Sequence, residues 1–237
     1  MRKFAYLALN IASAAVVIMY LSSCFAGGGG AGKDPITPAP DLKEGTVDPR
    51  TRAITITKGG VSVTVEHWSK YRLDHKYTTP TTRSPFFYLG TWSQSFQSEA
   101  FWVTIKNDTP RGVVVNFKET KLYDERKYEY VPTELDELEY RFRTKGYFDL
   151  KAKNGLELAR QILLMAVLGP KRLVPAGKTV GGFIAFYTPS KQAATVWLII
   201  TLEKEPELAT AAYEKLSYRY DFVQNLALRT TQEATVR

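Results

Sequence analysis

From Ala53 onward, apolar and polar residues alternate with a period of two. Ile54 and Ile56 are separated by threonine, and Val61, Val63 and Val65 alternate with Ser62, Thr64 and Glu66. Phe101, Val103 and Ile105 alternate with Trp102, Thr104 and Lys106, and near the end Leu216, Tyr218, Tyr220 and Phe222 alternate with Ser217, Arg219 and Asp221. Successive side chains of a strand point to opposite faces, so this pattern predicts strands with one buried and one wet face. Residues 113–117, 122–130, 183–187 and 195–202 are further strand segments, and turn formers such as Lys58-Gly59-Gly60 and Pro175-Ala176-Gly177-Lys178 separate them. Many short strands without the spacing of βαβ units predict a mainly-β fold, an antiparallel β-sandwich over residues 53–223, followed by a polar tail at 224–237.

A helical insertion is predicted over 132–170. Thr133 precedes Glu134, Asp136 and Glu137, and the segment closes with Arg141, Arg143 and Lys145, charges that complement a helix dipole. Leu135, Leu138 and Phe142 line its apolar side. A second helix starts at Asn154, with Glu157 three residues on as in a capping box, and stops at Gly169-Pro170. Leu156, Ala159, Leu163 and Val167 face one way, yet Leu158, Ile162 and Met165 are apolar as well. A helix apolar nearly all round is a buried one, here expected to plug an open edge or end of the sandwich. The alternative is a helix that binds a partner.

The first residues follow another rule. Arg2 and Lys3 precede an apolar run over 4–21, the pattern of a secretory signal. The run is also close to the ~20 residues that span a bilayer, so an uncleaved membrane anchor is the competing reading. The run ends in Leu21-Ser22-Ser23-Cys24, which contains the only cysteine of the chain. This tetrapeptide resembles the bacterial lipobox, with Ser23 where that family more often has Gly or Ala. The resemblance implies removal of residues 1–23 and lipid attachment to Cys24; by the same resemblance, Phe25 rather than Asp after the cysteine is compatible with onward transport to an outer membrane. Ordinary cleavage with an idle Cys24 is the remaining alternative. Residues 24–52 are then expected to be a tether, with glycines at 27–30 and Pro35, Pro38, Pro40 and Pro49 opposing any packed element. A coil of that length spans roughly 30 Å. Gly27 to Lys33 also fits G-x-x-x-x-G-K, but Asp34 stands where a phosphate-binding loop needs Ser or Thr, and neither strand nor helix flanks it.

Charge adds one constraint. The formal net charge is +8, and loss of residues 1–23 lowers it by two through Arg2 and Lys3. The first reading of this charge is a solvated surface kept soluble by it; as a partner surface it suits anionic lipid, anionic envelope polymer or nucleic acid, and export leaves nucleic acid the poorest fit. The membrane, reached through the lipid, is the first expected partner.

Within the folded part, Phe101-Trp102-Val103-Thr104-Ile105-Lys106-Asn107, Leu122-Tyr123-Asp124, and the run from Leu173-Val174-Pro175-Ala176-Gly177 through Gly181-Gly182-Phe183 to Phe186 resemble immunoglobulin-like domains of bacterial envelope lipoproteins. The resemblance spans roughly 53–205, with 132–170 inserted. It implies an immunoglobulin-like β-sandwich in the cell envelope and carries over no catalytic residue.

Candidate chemistry is sparse. His67 continues the parity of Val61, Val63 and Val65 at the end of a core face, and His75 sits among Asp74, Lys76 and Tyr77 in an expected loop. Two histidines eight apart, with no Cys beside them, make poor metal ligands. There is no G-x-S-x-G, and Cys24 is committed to the anchor, so neither catalytic residue, metal nor cofactor is assigned. Glu134, Asp136, Glu137 and Glu139 crowd one helix start, where the dipole explains them. Pro85-Phe86-Phe87-Tyr88-Leu89-Gly90-Thr91-Trp92 has two readings. Phe86, Phe87, Tyr88 and Trp92 form a partner-binding patch, or the segment is a connection folded over the core. The expected function is an envelope lipoprotein that binds or scaffolds another envelope protein or polymer. The alternatives are a small-molecule or ion-binding lipoprotein and a hydrolase of envelope polymer.

Overall fold

The computed structural model describes residues 35–80, 82, 84–88, 96–145, 155–189, 192–206, 212–225 and 227–228. Its strands are β1 (Ile36–Pro38), β2 (Thr46–Val47), β3 (Ile54–Lys58), β4 (Val61–Trp68), β5 (Phe87–Tyr88), β6 (Phe96–Asn107), β7 (Val113–Val115), β8 (Lys121–Asp124), β9 (Glu129–Tyr130), β10 (Leu173–Val174), β11 (Thr179–Tyr187), β12 (Thr195–Lys204) and β13 (Glu214–Gln224). Three short helices accompany them among the described residues: α1 (Lys70–Tyr77), α2 (Leu135–Lys145) and α3 (Gly155–Ala166).

The alternation yields a mainly-β protein with two antiparallel sheets. One has seven strands in the order β1-β13-β12-β7-β10, with β8 on β12 and β9 on β8; the other has six in the order β11-β6-β4-β3-β2, with β5 on β6. Their inner faces share one core. Ile54, Val63, Val65, Phe101 and Val103 come from the six-stranded sheet, and Val113, Leu122, Leu198, Ile200 and Phe222 from the seven-stranded one. Two tyrosines of β13 cross that core. Tyr218 donates to the Val61 carbonyl at 3.1 Å and Tyr220 to the Val63 carbonyl at 2.8 Å. The buried hydroxyls thus keep acceptors, and burial pushes both phenols above the usual tyrosine range.

A second core covers the outer face of the six-stranded sheet. Trp68, Ala100, Phe183 and Ala185 meet Leu73 of α1, Leu138 of α2, Leu163 and Ala166 of α3, and Phe86. Gly182 permits the close approach of the chain leaving α3: a Cβ there would lie 2.8 Å from the Leu168 nitrogen, which itself donates to the Phe183 carbonyl at 2.8 Å.

Four expectations are corrected. The tether does not extend to Arg52. β1 pairs with β13, with Ile36 opposite Gln224 and buried in the main core, and β2 pairs with β3 across a turn closed by Asp48. Prolines did not prevent this because β1 lies at a sheet edge, where the missing donor of Pro38 costs no ladder bond. Helices are not confined to 132–170. His75 lies in α1, whose N-cap Ser69 accepts from the Arg72 nitrogen at 3.3 Å, so the loop expected there is a helix. The single strand expected over 122–130 is a hairpin of β8 and β9, folded around Asp124, which accepts from the Arg126 and Tyr128 nitrogens. Finally, α3 packs on the outer face of the six-stranded sheet, and only the chain leaving it, where Val167 bridges Phe183 of the edge strand β11, meets an open edge; the helix is not buried all round. Ala159 and Leu163 are buried, whereas Leu164 and Met165 are 55% and 75% exposed.

Two of the positions behind the family resemblance, Asn107 and Gly177, serve turns. Asn107 donates to the Arg111 and Val174 carbonyls and accepts from the Thr109 nitrogen, joining the end of β6 to β10. Gly177 takes a φ of 66° in the turn between β10 and β11, the left-handed region that favours glycine.

Candidate functional site

The helical layer on the six-stranded sheet brings together most of the residues with functional potential. Phe86 is fully buried there, its ring 5.0 Å from that of Phe183 and 5.6 Å from that of Tyr77. It belongs to the core cover, and the patch reading of Phe86 is corrected accordingly. Phe87 and Tyr88 form β5, opposite Gln97 and Phe96. Cys24 and Trp92 lie outside the described residues.

At one end of this sheet the regular alternation stops. Glu66, His67 and Trp68 are all buried, because the sheet is covered on both faces there. His67 points with Val65 and Phe101 towards the main core. Its Nε2 meets Glu99 Oε2 at 2.9 Å, and Lys70 Nζ stands 3.8 Å from the other oxygen of the same carboxylate. A buried carboxylate needs such partners, since an isolated one is far costlier than a paired one. His67 Nδ1 and the Ser98 hydroxyl, both buried, find no partner among the described residues. On the opposite face, Glu66 accepts from Trp68 Nε1 at 3.0 Å and from Arg72 Nη1 at 2.9 Å, and the Arg72 guanidinium lies 4.2 Å over the Trp68 ring. Glu66 is directly opposite Trp102 and Glu99 opposite Phe186, and these two belong to different faces. The two carboxylates therefore do not face one another.

Sequence reading placed His67 at the end of a core face but missed its partner. The signal was present: Glu99 has the parity of Phe101, Val103 and Ile105, so both polar residues terminate apolar alternations, and antiparallel pairing puts those ends side by side.

The outer side of the layer is held by charges and exposes apolar side chains. Arg160 of α3 meets Glu139 of α2 at 3.4 Å. Glu137 accepts from Arg141 at 2.6 Å and from the Tyr187 hydroxyl, tying α2 to the end of β11, with Arg141 stacked 3.8 Å over the Tyr187 ring. Burial acts to raise the Glu137 carboxyl, but the hydrogen bonds from Tyr187 and Arg141 outweigh it and hold it below the usual range. Leu164, one turn beyond Arg160, and Met165 are exposed, as is Tyr140 of α2 at 66%. Among the described residues no helix is long and apolar enough to cross a membrane, and no group of three His, Cys, Asp or Glu stands close enough to hold a metal ion.

No family model matches the chain, and no curated protein matches it. Among solved structures, the yjhA protein from Bacillus subtilis is similar at 17% identity, over 70% of this chain and 93% of that one, with a TM-score of 0.31.

Proposed function

We propose that this protein is a lipid-anchored component of a bacterial cell envelope, placed at the outer membrane, whose immunoglobulin-like sandwich binds or scaffolds another envelope protein or polymer. The anchor is a lipid on Cys24 after loss of residues 1–23. The observation that carries the binding role is the outer side of α3, which exposes Leu164 and Met165 although the helix packs firmly on its other side. Large exposed apolar side chains next to one another on a rigid element are a feature of docking surfaces. Met is well suited to such a surface, since its flexible thioether adapts to different partner shapes.

Two measurements test the two halves. Mass spectrometry of the N-terminal peptide from membranes is expected to show a chain starting at a lipid-modified Cys24; a peptide starting at Met1 with a free thiol overturns the anchor. For the binding role, a photo-crosslinking residue replaces Met165 in intact cells, with Lys118 as the control position. A discrete adduct at 165 and none at 118 is expected. Equal yields at the two positions, or none at either, overturn docking through α3.

A further inference from the structure

We infer that the end of the fold formed by the β8–β9 hairpin tip rests on the membrane surface, with Arg126, Lys127 and Tyr128 against anionic lipid headgroups. This rests on the Cys24 anchor proposed above and assigns a surface to its lipid partner.

The chain joins the folded body at Pro35 and Ile36, and hydrogen bonds run from there directly to the hairpin. The Asn225 nitrogen donates to the Pro35 carbonyl at 2.7 Å, and Ile36 is opposite Gln224. Gln224 donates through its side chain to the Ala193 carbonyl at 2.8 Å and through its nitrogen to the Ala194 carbonyl at 2.7 Å. The Ala194 nitrogen donates to Glu125 Oε2 at 3.0 Å, and Arg126 Nη2 donates to Gln192 Oε1 at 2.6 Å. Attachment point and hairpin tip therefore share one end of the molecule.

The tip is built to hold its shape. Asp124 Oδ1 accepts from the Arg126 and Tyr128 nitrogens, Asp124 Oδ2 accepts from the Tyr130 hydroxyl, and Lys127 takes a φ of 65°. Arg126 and Lys127 are exposed, no acid among the described residues pairs with either, and Tyr128 beside them is 62% exposed. Bases next to an amphipathic ring suit the headgroup region, where tyrosine is enriched and each base contributes through the negative surface potential.

Bases also stand at the opposite end, where Lys171, Arg172 and Lys178 are exposed. Chain length separates the two ends. The ten residues of β12, which begin just after Ala194, cover about 33 Å. Lys178 belongs to the far end: its carbonyl accepts from the Asn107 nitrogen, Asn107 holds the Arg111 carbonyl, and the neighbouring Gly112 carbonyl accepts from the Glu205 nitrogen just past β12. Twelve residue steps separate Cys24 from Ile36. Fully extended they reach about 40 Å, and as a coil they span roughly 20 Å. Presenting the far end to the membrane would consume nearly the whole reach of the segment, whereas presenting the hairpin end consumes almost none.

The test uses the full lipidated chain in phosphatidylethanolamine vesicles containing phosphatidylglycerol and a headgroup nitroxide, with a fluorophore on Ala194→Cys or on Lys178→Cys. Quenching at position 194 and little at 178 is expected. Adding Arg126→Gln and Lys127→Gln to Ala194→Cys is expected to shift the contact equilibrium roughly fivefold per base, about thirtyfold for both. Equal quenching at both positions, stronger quenching at 178, or quenching at 194 that ignores the two substitutions overturns the proposal. The anchor is scored separately by the mass of the N-terminal peptide. If Cys24 proves unmodified, the Ala194→Cys label in a Cys24→Ala chain, held by its apolar run, reads the orientation alone, with the same outcomes.

Discussion

Trp102 and Trp197 both sit on outer faces of sheets, yet they meet different surroundings. Trp102, on the six-stranded sheet, packs edge-on against Phe183 at 4.9 Å and near Trp68, beneath the helical layer. Trp197, on the seven-stranded sheet, stacks on Tyr123 at 5.7 Å, with Arg219 lying 5.0 Å over its ring. One sheet is buried on both faces near its end, and the other keeps an outer face lined by such partly exposed residues. The difference teaches that a residue on the wet side of an alternating pattern has its fate set by what folds over it. Where helices cover the sheet, Glu66 and Trp68 become interior; where none of the described helices does, aromatic and charged side chains pair along the surface.

The largest expected effect tests whether the second core is as closely packed as a true interior. Phe183→Ala is expected to destabilise by ~3–5 kcal/mol in urea unfolding, the range for a buried aromatic. Trp197→Ala is expected to lose mainly a pair worth ~0.5–1.5 kcal/mol. Equal losses for the two variants would erase the contrast between the faces.

Alkaline titration sharpens the same contrast. Burial in the second core pushes the Tyr77 phenol up to about 12 from a reference of 10.0. Because the folded value lies above the unfolded one, the contribution is complete below pH 10 and is lost as pH rises from 10 towards 12. Two pH units correspond to up to about 2.7 kcal/mol. Unfolding free energies between pH 9 and pH 12 are expected to fall less for Tyr77→Phe than for the unaltered chain. Parallel curves would show that the Tyr77 hydroxyl is not desolvated.

Glu99→Gln probes the boundary where both faces close over polar groups. It removes the charge that His67 and Lys70 share while keeping the shape, and an expected loss of ~1–3 kcal/mol follows from leaving buried polar groups poorly paired. Stability that rises instead would mean that desolvation of the carboxylate outweighs its pairing. The smallest effect belongs to the outer side of α3. Leu164→Ser and, separately, Met165→Ser are each expected to change stability by less than ~0.5 kcal/mol, and Leu164→Ser in the chain that carries the crosslinking residue at position 165 is expected to abolish the adduct proposed above. A loss of several kcal/mol would show that these residues serve folding rather than docking.

Much of this was legible in the residues themselves. Alternation in β3, β4, β6 and β13 fixes which side chains face the common core, because the period of a strand is a local property. Acidic starts and apolar spacing marked α2 and α3 for the same reason. The order of basic start, apolar run and Leu-Ser-Ser-Cys motivates the proposed anchor on local pattern alone. Tertiary structure decided what depends on distant partners. Ile36 became a strand because β13 offers an edge, although prolines surround it. α1 formed where Leu73 could reach the second core. Phe86 turned inward because Phe183 and Tyr77 make a site for its ring, and His67 found Glu99 only when β4 and β6 paired. Local periodicity records which way a side chain points; burial, pairing and exposure depend on which surfaces meet it, and those come from segments far away in the chain.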